Sequence, residues 1–360
     1  MRILALSFLV GFAAASPTPT WSHAVSVEKS HTLAKRASVS DKATLGYASL
    51  NGGTTGGLGG SVTTVSTLAQ FTAAVSEKKK EPAIVFVQGT IEGSAKVRIG
   101  SNKTIIGLPG SGFTGVGLEF KKQSNLILRN IVSSCVEAAN GDGLTIQEST
   151  NVWVDHCEFN SGADWKEKGK DFYDGLVDVV HGSDYVTISH TRFLNHYKAS
   201  LVGHSDSNGA QDTGHLHITY ANNHWKHINS RGPSIRFGTG HIYNSVYEDM
   251  QSAINTRMGA QVLVQGNVFK NVSHPITSDD SKETGYAVAV GNDLGTAADK
   301  APAGTLTAES IPYKFTLLDI KEVEAQVPVD AGATLTFDPV PSTNGTSLPP
   351  MGHARAIRRS

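Results

Sequence analysis

The 360-residue sequence has only two cysteines, Cys135 and Cys157, so disulfides cannot be its main source of stability. A chain of this length can bury enough apolar surface without them. It has no excess charge of either sign: 31 Lys and Arg face 32 Asp and Glu, leaving a formal net charge of −1. That balance argues against a broad nucleic-acid-binding face. Aromatic residues are sparse, at 7%, and no apolar run is long enough to span a bilayer as a helix. Glycine, by contrast, is abundant at 37 residues. The mixture favours many short strands and tight turns.

The two ends differ from the middle. Arg2, the apolar Ile3–Phe12 and the small-residue Ala13-Ala-Ala-Ser16 read as a secretory signal over residues 1–16. The Pro/Thr/Ser-rich residues 17–36 end in Lys35-Arg36 and read either as a propeptide with a dibasic processing site or as a linker. The folded domain is therefore expected over 37–337. Residues 338–360 are rich in Pro, Ser and Gly and read as a disordered tail. In a secreted chain Asn102-Lys-Thr, Asn271-Val-Ser and Asn344-Gly-Thr are sequons for N-glycosylation. Cys135 and Cys157 either pair in an oxidising compartment or stay as buried free thiols.

The middle repeats one unit: a short strand, a turn and a second, alternating strand. Gly143–Gln147 leads into Val152–His156, Gly175–Val179 into Tyr185–His190, and Pro233–Phe237 into His241–Asn244. Alternation such as Val152/Val154, Val186/Ile188 and Val262/Val264 turns apolar residues to one face. An antiparallel sandwich would join its strands by hairpins, whereas here the same unit recurs in order, which fits an all-β solenoid of stacked coils. Glu158–Tyr173 and His204–Gly214 read as inserted loops. Ser66–Val75, with Ser66 as N-cap, suits a short helical cap on the N-terminal end. From Lys300 the repeat fades, and the chain is expected to pack along the outside.

Stacking brings the first strands of successive coils about 4.8 Å apart. Residues distant in sequence then share an outer face: Asp142, then Asp174 and Asp178, then Lys198, then Arg231 and Arg236. Even spacing along a strand would hold Asp174 and Asp178 on one side. The three carboxylates read either as a solvated acidic surface or as oxygen ligands for a hard cation, chiefly Ca²⁺. Lys198, Arg231 and Arg236 either form salt bridges with these aspartates or, with a cation beside them, suit an extended polyanion.

Asn151-Val-Trp-Val-Asp-His156 and Arg231-Gly-Pro-Ser-Ile-Arg236 resemble the two signature motifs of the pectate lyases of polysaccharide lyase family 1. The resemblance runs from about Gly46 to Phe337 and is closest to fungal extracellular members. It includes Gly46-Tyr-Ala-Ser-Leu-Asn-Gly-Gly-Thr-Thr-Gly-Gly57, Gly203-His-Ser-Asp-Ser207 and Asn255-Thr-Arg-Met-Gly259. It implies a right-handed parallel β-helix and calcium-dependent eliminative cleavage of (1→4)-α-D-galacturonan. It further implies that Asp142, Asp174 and Asp178 ligate Ca²⁺, that Lys198 and Arg236 bind substrate, and that Arg231 is the base. Asp155 and His156 are implied as supporting residues. Some relatives carry an acidic ligand where this chain has Asn140, whose amide would add an oxygen but no charge. The rival readings are a pectin lyase working without calcium, a polygalacturonase using paired carboxylates, and a non-catalytic glycan-binding solenoid. The expected protein is a secreted monomer whose partner is plant cell-wall pectate.

Overall fold

The computed structural model describes residues 36–337. The expected signal segment, nearly all of the propeptide or linker, and the tail with its Asn344 sequon lie outside the described residues. One ten-stranded parallel sheet takes its strands strictly in chain order. Ser124–Arg129, Thr150–Asp155, Asp184–Ser189 and His217–Ala221 are successive members. Val152 lies opposite Leu126 on one side and Val186 on the other. Each strand thus pairs with the equivalent strand one coil away, and Val152, Val154, Val186 and Ile188 all turn into the core. This is a parallel β-solenoid.

Apart from Arg36–Ala37, which pairs with Thr336–Phe337, the remaining described strands form one twelve-stranded sheet that folds around two further faces of each coil. Long strands such as Gly112–Lys121 and Val246–Arg257 pair with shorter strands of both faces. The sequence pattern shows two strands per coil, and the third is a correction to it. Glu158–Asn160, assigned above to an inserted loop, is a strand paired with Val132–Ser134 and with the start of Arg192–Lys198. Three residues contribute one inward side chain, Phe159, which is too few to display alternation.

That third strand concentrates the sparse aromatics. Phe159, Phe193, Trp225, Tyr247 and Phe269 occupy equivalent register positions. Their rings stack in a file with centroids 6.0, 3.8, 5.9 and 4.6 Å apart. A second file satisfies buried backbone donors where the chain turns. Thr191 N donates to Asn223 Oδ1 (2.8 Å), Asn223 N to Ser245 Oγ (3.1 Å) and Ser245 N to Asn267 Oδ1 (2.8 Å). Each bond joins one coil to the next and spares a buried N–H the cost of having no partner.

The N-terminal end is covered by the helix Leu68–Val75, with Phe71 and Val75 buried. Its N-cap is Thr67, not Ser66: the Thr67 hydroxyl accepts from Gln70 N, while Ser66 N donates to Gln70 Oε1. After Lys300 the chain leaves the repeat, and the helix Ile320–Asp330 packs Val323 and Val327 on Val246 and Val268. Cys135 and Cys157 are both free thiols, Cys157 buried. Among the described residues no helix is long and apolar enough to cross a membrane.

Trp225 sits at the centre of the aromatic file, fully buried, and its indole N–H has no partner. Trp225→Ala is expected to destabilise by about 3–5 kcal/mol. Trp225→Phe removes an unsatisfied donor and is expected to cost less than about 1.5 kcal/mol. Denaturant titration followed by circular dichroism measures both.

Candidate active site

Asp142 precedes the strand Leu144–Gln147, and Asp178 lies in the next coil's strand Val177–Val180, opposite Thr145. Thr145 donates its hydroxyl to Asp142 Oδ2 at 2.6 Å, and Leu201 N donates to Asp178 Oδ1 at 2.9 Å. Asp142 Oδ1 is buried and has no hydrogen-bond partner among the described residues. Gly175 lies between the two side chains. A Cβ there would stand 2.7 Å from both Asp142 Oδ1 and Asp178 Oδ1, so the missing side chain is what leaves room for the carboxylates to converge.

Burial, with the nearby Asp174 charge, pushes the Asp142 carboxyl up to about 6. Burial and then the Asp142 charge hold Asp178 well above the usual carboxylate range. Both shifts express the same frustration: the site favours neutralisation by a proton or a cation.

Asp174 arrives by a different route from the one expected. The strand starts at Val177, so strand alternation does not place Asp174, whose side chain is 56% exposed. Its carbonyl accepts from His196 Nε2 at 3.0 Å, and the other ring nitrogen faces Ser161 Oγ at 2.6 Å. Burial lowers His196 to about 4, so it is neutral and serves as a fixed strut. Asn140 is buried, and its amide is engaged: Nδ2 donates to Ser94 Oγ (3.0 Å) and to Gly115 O (3.1 Å).

The cations occupy adjoining coils. Lys198 ends its strand opposite Ser230, the residue before Arg231. Its Nζ lies 3.0 Å from Asp171 Oδ1 and 3.7 Å from Asp174 Oδ1. Arg231 adopts φ 62° just before the cis Gly232-Pro233 bond, and its carbonyl accepts from Ser200 N at 2.8 Å. Among the described residues its guanidinium makes neither hydrogen bond nor ion pair. Its charge nonetheless favours ionisation of both Asp178 and Asp171. Arg236 is buried; Nε donates to Asp206 Oδ1 at 2.5 Å and Nη1 to Gly203 O at 3.1 Å.

Sequence reasoning missed Arg257. It lies opposite Arg236 in the next coil, buried, with Nε unpartnered. Burial, and then the Arg236 charge, lower its pKa from the ordinary arginine value. Reading one coil beyond Arg236 within Asn255-Thr-Arg-Met-Gly259 would have found it.

Asp155 and His156 belong to the other sheet. Asp155 accepts from Arg129 Nε (3.0 Å), Ser189 Oγ (2.7 Å) and His156 Nδ1 (2.8 Å), and His156 stacks on His190 with centroids 4.5 Å apart. Burial alone would raise Asp155, but His156 and His190 hold it well below its usual value. This knot fixes a turn and lies outside the row from Asp142 to Arg236. Of the described sequons, Asn102 already uses its amide on Lys80 O (3.0 Å), whereas Asn271 is exposed and donates to Asp249 (2.8 Å).

The parallel β-solenoid sets an acidic cradle beside a row of cations, and comparison with known proteins shows which family it belongs to. A family model described as pectate lyase matches residues 23–334. Pectate lyase A of Aspergillus niger is 51% identical over 337 residues, covering 93% of this chain and 98% of that protein. Pectate lyase B of Colletotrichum gloeosporioides is 50% identical over 307 residues, covering 85% and 90%. Among solved structures, a pectate lyase from Bacillus sp. N165 in complex with trigalacturonate aligns with a TM-score of 0.71 at 30% identity, covering 81% of this chain and 99% of that one. The chain belongs to the pectate lyase family, and its enzyme class is that of the polysaccharide lyases.

The raised Asp142 pKa sets a direction for stability. The folded state holds this proton more tightly than the unfolded chain, so its contribution is present below about pH 4 and is lost as pH rises through about 6. In chelator, Asp142→Asn is therefore expected to gain on the native protein, by on the order of 2–3 kcal/mol, between pH 4 and pH 7. Thermal melts of both proteins across that range measure it.

Proposed function

We propose that the chain is a secreted, calcium-dependent enzyme that cleaves (1→4)-α-D-galacturonan by β-elimination. The observation that carries this reading is the cradle at Gly175: a buried, unpartnered Asp142 Oδ1 facing Asp178, in line with Lys198, Arg231 and Arg236. The donor set is all oxygen and anionic, which fits Ca²⁺. Asp142 and Asp178 would hold the ion, with Asp174 completing the carboxylate set. Asn140 Nδ2 is engaged with Ser94 and Gly115, which leaves only its Oδ1, 3.4 Å from Ser94 Oγ, as a neutral oxygen. Bound calcium supplies Lewis-acid neutralisation of a substrate carboxylate next to the reacting carbon.

The chain's own residues account for the rest. Lys198 and Arg236 bind neighbouring galacturonate carboxylates by charge-assisted hydrogen bonds, with Lys198 exchanging the exposed Asp171 for substrate. Arg257, beside Arg236, extends the cationic floor. Arg231 takes the proton from C5. The C5–H electron pair becomes the C4=C5 double bond, the C4–O bond breaks with its pair going to oxygen, and the departing oxygen takes a proton from water. A guanidinium is charged at neutral pH. Among the described residues Arg231 makes no ion pair, so its guanidinium is free to approach C5; a base of this type is weak at neutral pH, and turnover is expected to rise into alkaline pH.

The rival chemistries fit the site less well. A retaining or inverting hydrolase needs two carboxylates separated enough to flank a glycosidic bond, whereas Asp142 and Asp178 converge on a single missing Cβ. A pectin lyase acting on neutral esters has no use for such a cradle. The polyanion partner, the monomeric state and secretion belong to the same proposal.

Incubation with polygalacturonate and calcium should give unsaturated product, read as growing ultraviolet absorbance, and chelator should abolish it. Arg231→Lys should lower kcat by about 10²–10⁴-fold with calcium affinity unchanged. New reducing ends without absorbance would mean a hydrolase and overturn the proposal.

A further inference from the structure

We propose that Asp206 is a positioning residue that aims Arg236 at the substrate; the proposal rests on the functional reading above. Asp206 belongs to the loop that follows Leu201–Val202. It uses both carboxylate oxygens: Oδ1 accepts from Arg236 Nε, and Oδ2 accepts from Ser281 Oγ (3.1 Å) and Lys282 N (3.1 Å). The Asp206 and Arg236 side chains are only 19% and 11% exposed. One carboxylate thus ties three segments: its own loop, the strand Ser234–Arg236, and the turn that follows Val268–Thr277.

The need for this tie follows from register. Arg236 and Arg257 are cross-strand neighbours, both buried, and their charges oppose one another. Like charges side by side on a parallel ladder would swing apart. The Asp206 charge favours ionisation of Arg257 as well as pairing with Arg236. Gly203 completes the grip from the other side. Its carbonyl accepts from Arg236 Nη1, and a Cβ at Gly203 would lie 2.8 Å from Arg236 Cβ. With Nε and Nη1 both held by protein oxygens, Nη2 is the nitrogen left for a substrate carboxylate. A fork fixed in advance binds with less loss of side-chain freedom.

The alternative role has the opposite sign. If Asp206 only screened positive charge, removing its charge would make the groove more attractive to a polyanion. Asp206→Asn keeps the shape and an acceptor for the Ser281 loop but removes the charge. Positioning predicts that KM for polygalacturonate rises about tenfold, with kcat within about twofold and calcium affinity unchanged. Asp206→Glu should recover part of the loss. Ser281→Ala, which loosens only the loop, should leave both constants within about twofold. An unchanged or lower KM in Asp206→Asn overturns the proposal, as does a loss confined to kcat. Calorimetric binding of trigalacturonate to the native protein and Asp206→Asn reads the same effect without turnover. Native binding without unsaturated product would therefore count against the functional reading alone, and equal binding by both proteins against Asp206 alone.

Discussion

In-register hydrogen bonding between one coil and the next fixes every other feature of this molecule. Leu144 pairs with Val177 and Thr145 with Asp178; that register brings Asp142 to Gly175 and so creates the cradle. Lys198 pairs with Ser230, and that register sets Arg231 beside it. A slip of one residue would turn each inward side chain outward. The aromatic file from Phe159 to Phe269 and the side-chain ladder from Thr191 to Asn267 oppose such a slip, because each member meets its partner in only one register.

The charges from Asp142 to Arg236 are paired unequally, and the proposed chemistry uses that inequality. Lys198 and Arg236 are paired with the protein carboxylates Asp171 and Asp206. Among the described residues Arg231 has none, and Asp142 keeps one buried oxygen unsatisfied. Other buried polar atoms also lack a partner among the described residues, Trp225 Nε1 in the core among them, but Asp142 Oδ1 is a carboxylate oxygen facing a second carboxylate. Asp155 shows the contrast. It too is a carboxylate and is more deeply buried, but it is surrounded by donors from Arg129, Ser189 and His156, and serves as structure.

Much of this was legible in the sequence, for a physical reason: alternation marks inward faces, and a repeated unit marks stacking. The solenoid and the row Asp142, Asp178, Lys198, Arg231 and Arg236 were readable from those signals. The third strand of each coil was not, because Glu158–Asn160 carries one inward residue and no pattern. Asp174 was placed by an alternation argument that its loop position does not obey. Arg257 was overlooked although it lies one coil beyond Arg236. Thr67 replaced Ser66 as cap because adjacent hydroxyl residues cannot be separated without backbone geometry. The tie from Asp206 to Arg236 and to Ser281 joins segments that only folding brings together.

The central claim is that the oxygens converging on Gly175 hold calcium. The most direct measurement is calorimetric calcium titration at alkaline pH of the native protein and of Gly175→Ala, whose new methyl would fall 2.7 Å from both carboxylates. The account predicts one site in the native protein and an affinity at least about tenfold weaker in the variant, with circular dichroism unchanged. Calcium binding of equal strength in both proteins, or none in the native protein, would contradict it.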